Sequence, residues 1–295
     1  MLAIILLLCA TSVLVSSQGN SQVSTLTEEF DASGDVAVDS QGFIYVANYG
    51  TVLTGANGTE IYKIDPADGS ITLFADGIDG AAGNEFDSKD NLFQSNISAG
   101  IISKITPDGE VTTFATSGGI GPTGIAIDSE DNLFVAHCNS SSIQRISADG
   151  TESEVLIQDF RLRCPNGLTM DDLGNLYAAN FNDGNIIKIT LEGELSILAT
   201  LPGSSNAHIT FANGVLYVTG RGANQIFEVT LNGEASVLAG SGVPGNADGP
   251  ALQATLSKPN GIATSPDGRT LYFNDAVPTD GVRLTPVLLR SLDIE

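Results

Sequence analysis

The amino-acid sequence predicts an all-β protein: a six-bladed β-propeller with four antiparallel strands per blade, whose last blade is closed by an N-terminal strand. Three observations carry this. A two-strand phrase recurs six times, at steps of 40 to 55 residues, about the length of one propeller blade. Asp-Gly and Asn-Gly dipeptides between the apolar runs supply the positive backbone angles that tight hairpins require. The composition, with 33 glycines in 295 residues, 42% apolar content and little lysine, suits a turn-rich β protein rather than a helical bundle.

Each copy opens with a short apolar strand ending in Asp or another turn residue, then a turn, then an aromatic-rich strand. The copies read "DVAVDSQGFIYVAN" (35–48), "NEFDSKDNLFQSN" (84–96) and "GIAIDSEDNLFVAH" (124–137). They continue as "GLTMDDLGNLYAAN" (167–180), "AHITFANGVLYVTG" (207–220) and "GIATSPDGRTLYFND" (261–275). The first apolar residue of each second strand serves as an anchor: Ile44, Leu92, Leu133, Leu176, Leu216 and Leu271. Third strands follow as "IYKID" (61–65), "ISKIT" (102–106), "IQRIS" (143–147), "IIKIT" (186–190) and "IFEVT" (226–230). Fourth strands follow four of these, as "GSITLFA", "GEVTTFA", "GELSILA" and "GEASVLA". The last copy has a third strand, "LLRSLDI" (288–294), and no fourth, while "QVSTLTEEF" (22–30) stands ahead of the first copy as an orphan strand. Pairing the two removes the exposed edges of an open sheet, so residues 22–295 form one ring.

Ahead of that ring, Leu2 to Val15 form an apolar run followed by "SSQGNSQ". The run is shorter than the ~20 residues of a membrane helix, which makes residues 1–17 a secretory signal peptide cleaved after Ser17; an uncleaved anchor is the alternative. A secreted chain, extracellular or periplasmic and without a membrane span, is expected. Cleavage removes Cys9 and leaves Cys138 and Cys164, which an oxidising compartment would join. Both fall on one face of adjacent blades. Sequons stand at Asn57, Asn96 and Asn139. A net charge of −23 argues against nucleic acid as a partner, because phosphate contacts need clustered Lys and Arg. No phosphate loop is present, so no nucleotide cofactor is expected.

The phrase "LAGSGVPGNADGPALQATLSKPNGIATSPDGRTLYFND" (238–275) resembles an NHL repeat. The wording "PNGL…D…GNLYAAN" and "PNGI…SPDGRTLY" also resembles the senescence marker protein, gluconolactonase and luciferin-regenerating enzyme group of six-bladed propellers. That resemblance implies a divalent cation, calcium or similar, in the central channel. It also implies a first-blade Glu, an Asn in an Asn-Gly turn and an Asp among the ligands, with another Asn on the substrate. Here Asn166 stands in the matching turn, Asn206 where Asp is expected, and Thr123 where a substrate-contacting Asn is expected. The first copy shows Ser33 and Gly34 in place of the Glu, and Asn260 is an addition. Hard cations prefer carboxylates, so Glu85 and Asp275 are the candidates to complete the set.

In a propeller the start of strand one and the end of strand two share a face. Thr123, Asn166, Asn206 and Asn260 come from strand starts; Asn48, Asn96, His137, Asn180 and Asp275 come from strand ends. The expected metal ligands are Asn166, Asn206 and Asp275, and the expected ligand contacts are Thr123, Asn48, Asn96, His137, Asn180 and Asn260. His208, with Glu85, is the candidate for proton transfer. For each Asn the plain alternative is turn chemistry, and for His208 a buried hydrogen-bonded ring. Streptogramin lyase propellers also use histidine and glutamate but have seven blades, and this chain has six anchors. Two functions stay open: a divalent-metal hydrolase of a lactone or ester, or a non-enzymatic propeller that binds a small molecule or a protein partner.

Overall fold

The computed structural model describes residues 21–50, 57–277 and 286–294. The expected signal peptide lies outside them. The described residues form six antiparallel sheets and no helix. The innermost strands are Val36–Val38, Ala81–Phe86, Pro122–Ile127, Pro165–Met170, Asn206–Ala212 and Ile262–Thr264, one per blade. Blades one to five each add three strands outward in sequence order. All six anchors are fully buried in their second strands.

Packing is between blades. Tyr45 and Ile61 of blade one meet Leu92 and Ile105 of blade two, and Tyr177 and Ile186 of blade four meet Leu216, Val218 and Phe227 of blade five. The second strands are buried toward both faces for this reason, since each has a neighbouring blade on either side.

The repeated Asp is turn chemistry, as expected. Asp87 Oδ1 accepts from the backbone N–H groups of Lys89 and Asn91, and both its oxygens accept from the Asn91 side chain. Asp128 with Asn132 and Asp171 with Asn175 repeat the pattern.

Blade three carries the expected fourth strand, Ser153–Gln158, after the Asp149-Gly150 turn, although its wording differs from that of the other four. One element goes beyond the sequence reading. Blade six is five-stranded, ordered Gly249–Pro250, Gln22–Thr25, Val287–Asp293, Thr270–Ala276, Ile262–Thr264 from the outside in. Its N-terminal strand pairs Val23 with Leu292 and Thr25 with Arg290, which closes the ring. The added two-residue strand covers the outer edge that Gln22 and Val23 would otherwise expose.

Candidate functional site

The inner strands of blades two to five carry a register shift near the start, at Ala81/Asn84, Pro122/Ile125, Pro165/Gly167 and Asn206/Ile209. Such bulges re-aim side chains at the mouth of a barrel or channel. Counting inward from these pairings gives equivalent positions around the axis.

One ring of equivalents is Asp35, Gly83, Gly124, Gly167, His208 and Gly261. Glycine is needed where the next blade's backbone comes close: a Cβ on Gly124 would stand 2.5 Å from Leu168 N, and one on Gly167 would stand 2.6 Å from His208 Cα. Two members carry side chains, and those side chains meet. His208 Nδ1 lies 2.7 Å from Asp35 Oδ2, across blade six, which offers only Gly261 there. The contact is close but lacks hydrogen-bond geometry, and Nδ1 has no directed hydrogen-bond partner among the described residues. Thr219 fixes the His208 backbone, its hydroxyl accepting from His208 N at 2.8 Å and donating to Asn260 O at 2.6 Å. Asp35 Oδ1 is held by the backbone N–H of Val36.

The next ring outward is Gly34, Ala82, Thr123, Asn166, Ala207 and Asn260. Its members other than Ala207, together with the residues five past the anchors (Tyr49, Ile97, Cys138, Phe181 and Arg221), wall a cavity of about 260 Å³ at the narrow mouth, with His208 at its floor. Thr123 is committed to structure, its hydroxyl lying 3.1 Å from Ala136 O and 2.8 Å from Pro165 O. Asn260 likewise donates to Ser33 O and Gly34 O. Asn166 makes no side-chain hydrogen bond among the described residues. Cys138 and Cys164 form the expected disulfide, which joins blades three and four on the cavity wall.

Other candidates lie elsewhere. Asn206 sits opposite Gly220, one residue before the ring, so Ala207 occupies the equivalent of Asn166. Its side chain is fully buried with both polar atoms unpaired. Asn48 bonds Glu60 and Gly50, Asn96 bonds Asp79 N and Ser103, and Asn180 bonds Arg161 O, each within the blade framework. Full burial also closes the Asn96 sequon. His137 Nε2 lies 2.6 Å from Ser117 Oγ, and burial lowers its pKa to about 4 against a weaker opposing hydrogen bond with the Ser142 backbone.

Asp275 is spent on the fold. Its oxygens take Ser257 N, Asn246 Nδ2 and Arg290 Nη1, the last at 2.9 Å with both partners fully buried. Burial raises its pKa to about 6, with Arg290 opposing. Glu85 faces the opposite side of the channel, a vestibule of about 460 Å³ that Asp35 also lines. Burial, and then the Asp35 charge, pushes its pKa up to about 7 against the opposing Phe86 N–H.

The donor set does not fit the expected cation. Asp275 is neutralised by Arg290, Asn166 and Asn206 point from non-equivalent positions, and no three His, Cys, Asp or Glu side chains converge among the described residues. Neutral carboxamides alone are poor ligands for a hard divalent ion.

Sequence reasoning missed Asp35, Tyr49, Phe181 and Arg221. The signal was present: Asp35 aligns with the glycines when the copies are set on their anchors, and the other three stand five past an anchor.

Fold and site together define a closed six-bladed propeller with a cavity of small-molecule size at one mouth. The chain belongs to the SMP-30/gluconolactonase/LRE-like family, whose sequence profile matches residues 10–158, half of its length. Among solved structures it resembles a gluconolactonase from Xanthomonas campestris, at TM-score 0.73 and 13% identity over 94% of this chain and 91% of that one. Virginiamycin B lyase from Staphylococcus aureus matches at TM-score 0.64 and 18% identity, covering 93% and 99%. An auxiliary nutrient binding protein from Bacteroides ovatus matches at TM-score 0.73 and 15% identity, covering 94% and 77%. At these identities the likeness is one of fold. No curated protein matches the chain.

Proposed function

We propose that this propeller hydrolyses a small lactone or ester in the narrow-mouth cavity, with His208 as general base. The observation that carries this reading is the 2.7 Å contact between His208 and Asp35. A carboxylate beside Nδ1 favours the proton on that nitrogen and leaves Nε2 free to accept one from water. Water then adds its oxygen to the acyl carbon, the C–O bond breaks, and the proton passes through His208 to the leaving alkoxide. Asn166, which lines the same cavity, would donate to the oxygen on which charge develops. The family membership and the gluconolactonase fold support the substrate class.

A panel of lactones and esters, run with and without chelator, tests this. We expect turnover that survives the chelator and falls at least about 100-fold in His208→Gln, with a smaller loss in Asp35→Asn. Full activity in folded His208→Gln, or no turnover of any substrate by the native protein, overturns it. A second reading, ligand binding without turnover, is favoured by the commitment of Thr123 and Asn260 to the backbone and by the apolar wall at Ile97 and Phe181. Binding of panel compounds without hydrolysis would select it.

We further propose export. Support comes from the Leu2–Val15 run and the Cys138–Cys164 disulfide, which reducing compartments disfavour. Among the described residues no helix is long and apolar enough to cross a membrane. N-terminal sequencing of the secreted chain should begin at Gln18.

A further inference from the structure

Arg221 stands on the wall of the narrow cavity, immediately after the second strand of blade five. Its guanidinium has no carboxylate and no hydrogen-bond acceptor among the described residues, and its Nε is buried without a partner. One face packs toward the Phe181 ring, 5.6 Å from its centroid; burial lowers the proton affinity of Arg221 and raises that of Tyr49, each partly opposed by the other, its neighbour on the cavity wall. The chain carries 35 acidic and 12 basic residues, so carboxylate partners were plentiful. Arg161 and Arg290, by contrast, are both paired with Asp. A desolvated guanidinium left open toward a cavity offers a planar fork that matches a carboxylate.

We infer that the narrow cavity takes a small ligand bearing one carboxylate, with Arg221 holding the carboxylate and Ile97, Phe181 and the disulfide flanking its apolar body. One cation balances one negative charge. The Asp35 carboxylate on the far side of His208 repels a second, which selects a monocarboxylate over a phosphate dianion. This inference does not depend on hydrolysis, since a carboxylate without an ester bond would bind equally.

The test uses benzoate, benzamide and inorganic phosphate, none of which the proposed reaction consumes. Each is titrated calorimetrically into the native protein, Arg221→Gln, Arg221→Lys and the exposed control Arg269→Gln. Benzoate should bind the native protein and the control alike. It should bind Arg221→Gln at least tenfold more weakly, and Arg221→Lys in between. Benzamide should bind the native protein no better than benzoate binds Arg221→Gln. Benzoate should also displace the Arg221 Nε–H signal in the nitrogen-15 spectrum of the native protein, a readout that needs no variant. Benzoate and benzamide binding equally, phosphate binding more tightly than benzoate, an unchanged affinity in folded Arg221→Gln, or no binding to the native protein would each overturn it. Loss of turnover in His208→Gln with benzoate binding intact would leave this inference standing and separate it from the hydrolytic reading.

Discussion

At Glu85 and His137 burial acts on two groups with opposite consequences for stability. Glu85 keeps its proton to about pH 7 in the folded chain, against an ordinary value of 4.5. A carboxyl raised in this way binds its proton more tightly folded than unfolded, so its contribution is full below the unfolded value and is lost as pH rises through about 7. Glu85→Gln should therefore flatten the decline in stability between pH 4.5 and 7, an effect of roughly 1–3 kcal/mol by denaturant titration. His137 has the reverse sign. Its pKa is lowered from 6.5 to about 4, so its contribution is present above 6.5 and is lost as pH falls toward 4. His137→Asn should blunt that acid-side loss, measured in the same titrations. Parity explains why the sequence placed these side chains in the wrong company. Successive side chains in a strand point to opposite faces, so a one-residue step turns a lining residue into a framework residue. Asn48, Asn96, His137 and Asn180 stand four past an anchor and bond within the framework; Tyr49, Ile97, Cys138 and Phe181 stand five past and line the cavity.

Inner strands and the closing strand are the elements on which the site depends. Gly167 brings the inner strands of blades four and five together, and a Cβ there would press on the His208 backbone at 2.6 Å. Gly167→Ala should cost about 1–3 kcal/mol as an overpacked contact and lower activity through His208. Activity falling less than stability would show that the ring adjusts without moving the base. On Val287–Asp293, the strand to which the closing strand pairs, fully buried Arg290 binds Asp275 at 2.9 Å, Asp248 at 2.8 Å, and the carbonyls of Thr255 and Ala247. Removing one partner strands a buried charge, so Asp275→Ala should lose about 3–5 kcal/mol in urea titration. Replacing both, as Asp275→Leu with Arg290→Met, should recover part of that loss. The sequence showed the closing strand by its missing partner. It did not show Gly249–Pro250, whose two residues are too few to carry a period.

For the whole molecule, ring closure and the interblade disulfide do the same work by different means. The disulfide closes a loop across a sequence separation of 26, worth roughly 3 kcal/mol through the unfolded chain. Cys138→Ser with Cys164→Ser should lower stability by about that amount, and thiol titration of the unfolded, unreduced mature chain should find neither cysteine free. Removing Gln22–Thr25 should do more, because it opens the last sheet along Arg290, Ser291 and Leu292. The expected result is loss of a single cooperative unfolding transition and concentration-dependent association.

By itself the sequence determined the six blades, their strand order, the ring closure and the disulfide pair. Those rest on periodicity, turn dipeptides and chain order, which are local or countable. Only the tertiary structure decided that His208 meets Asp35, that Asp275 belongs to Arg290, and that Arg221 lines the cavity with no carboxylate partner among the described residues. Their partners come from other blades or distant strands, and bulges shift the register by one residue at the mouth. Side-chain direction there follows from backbone pairing, which no repeat pattern states.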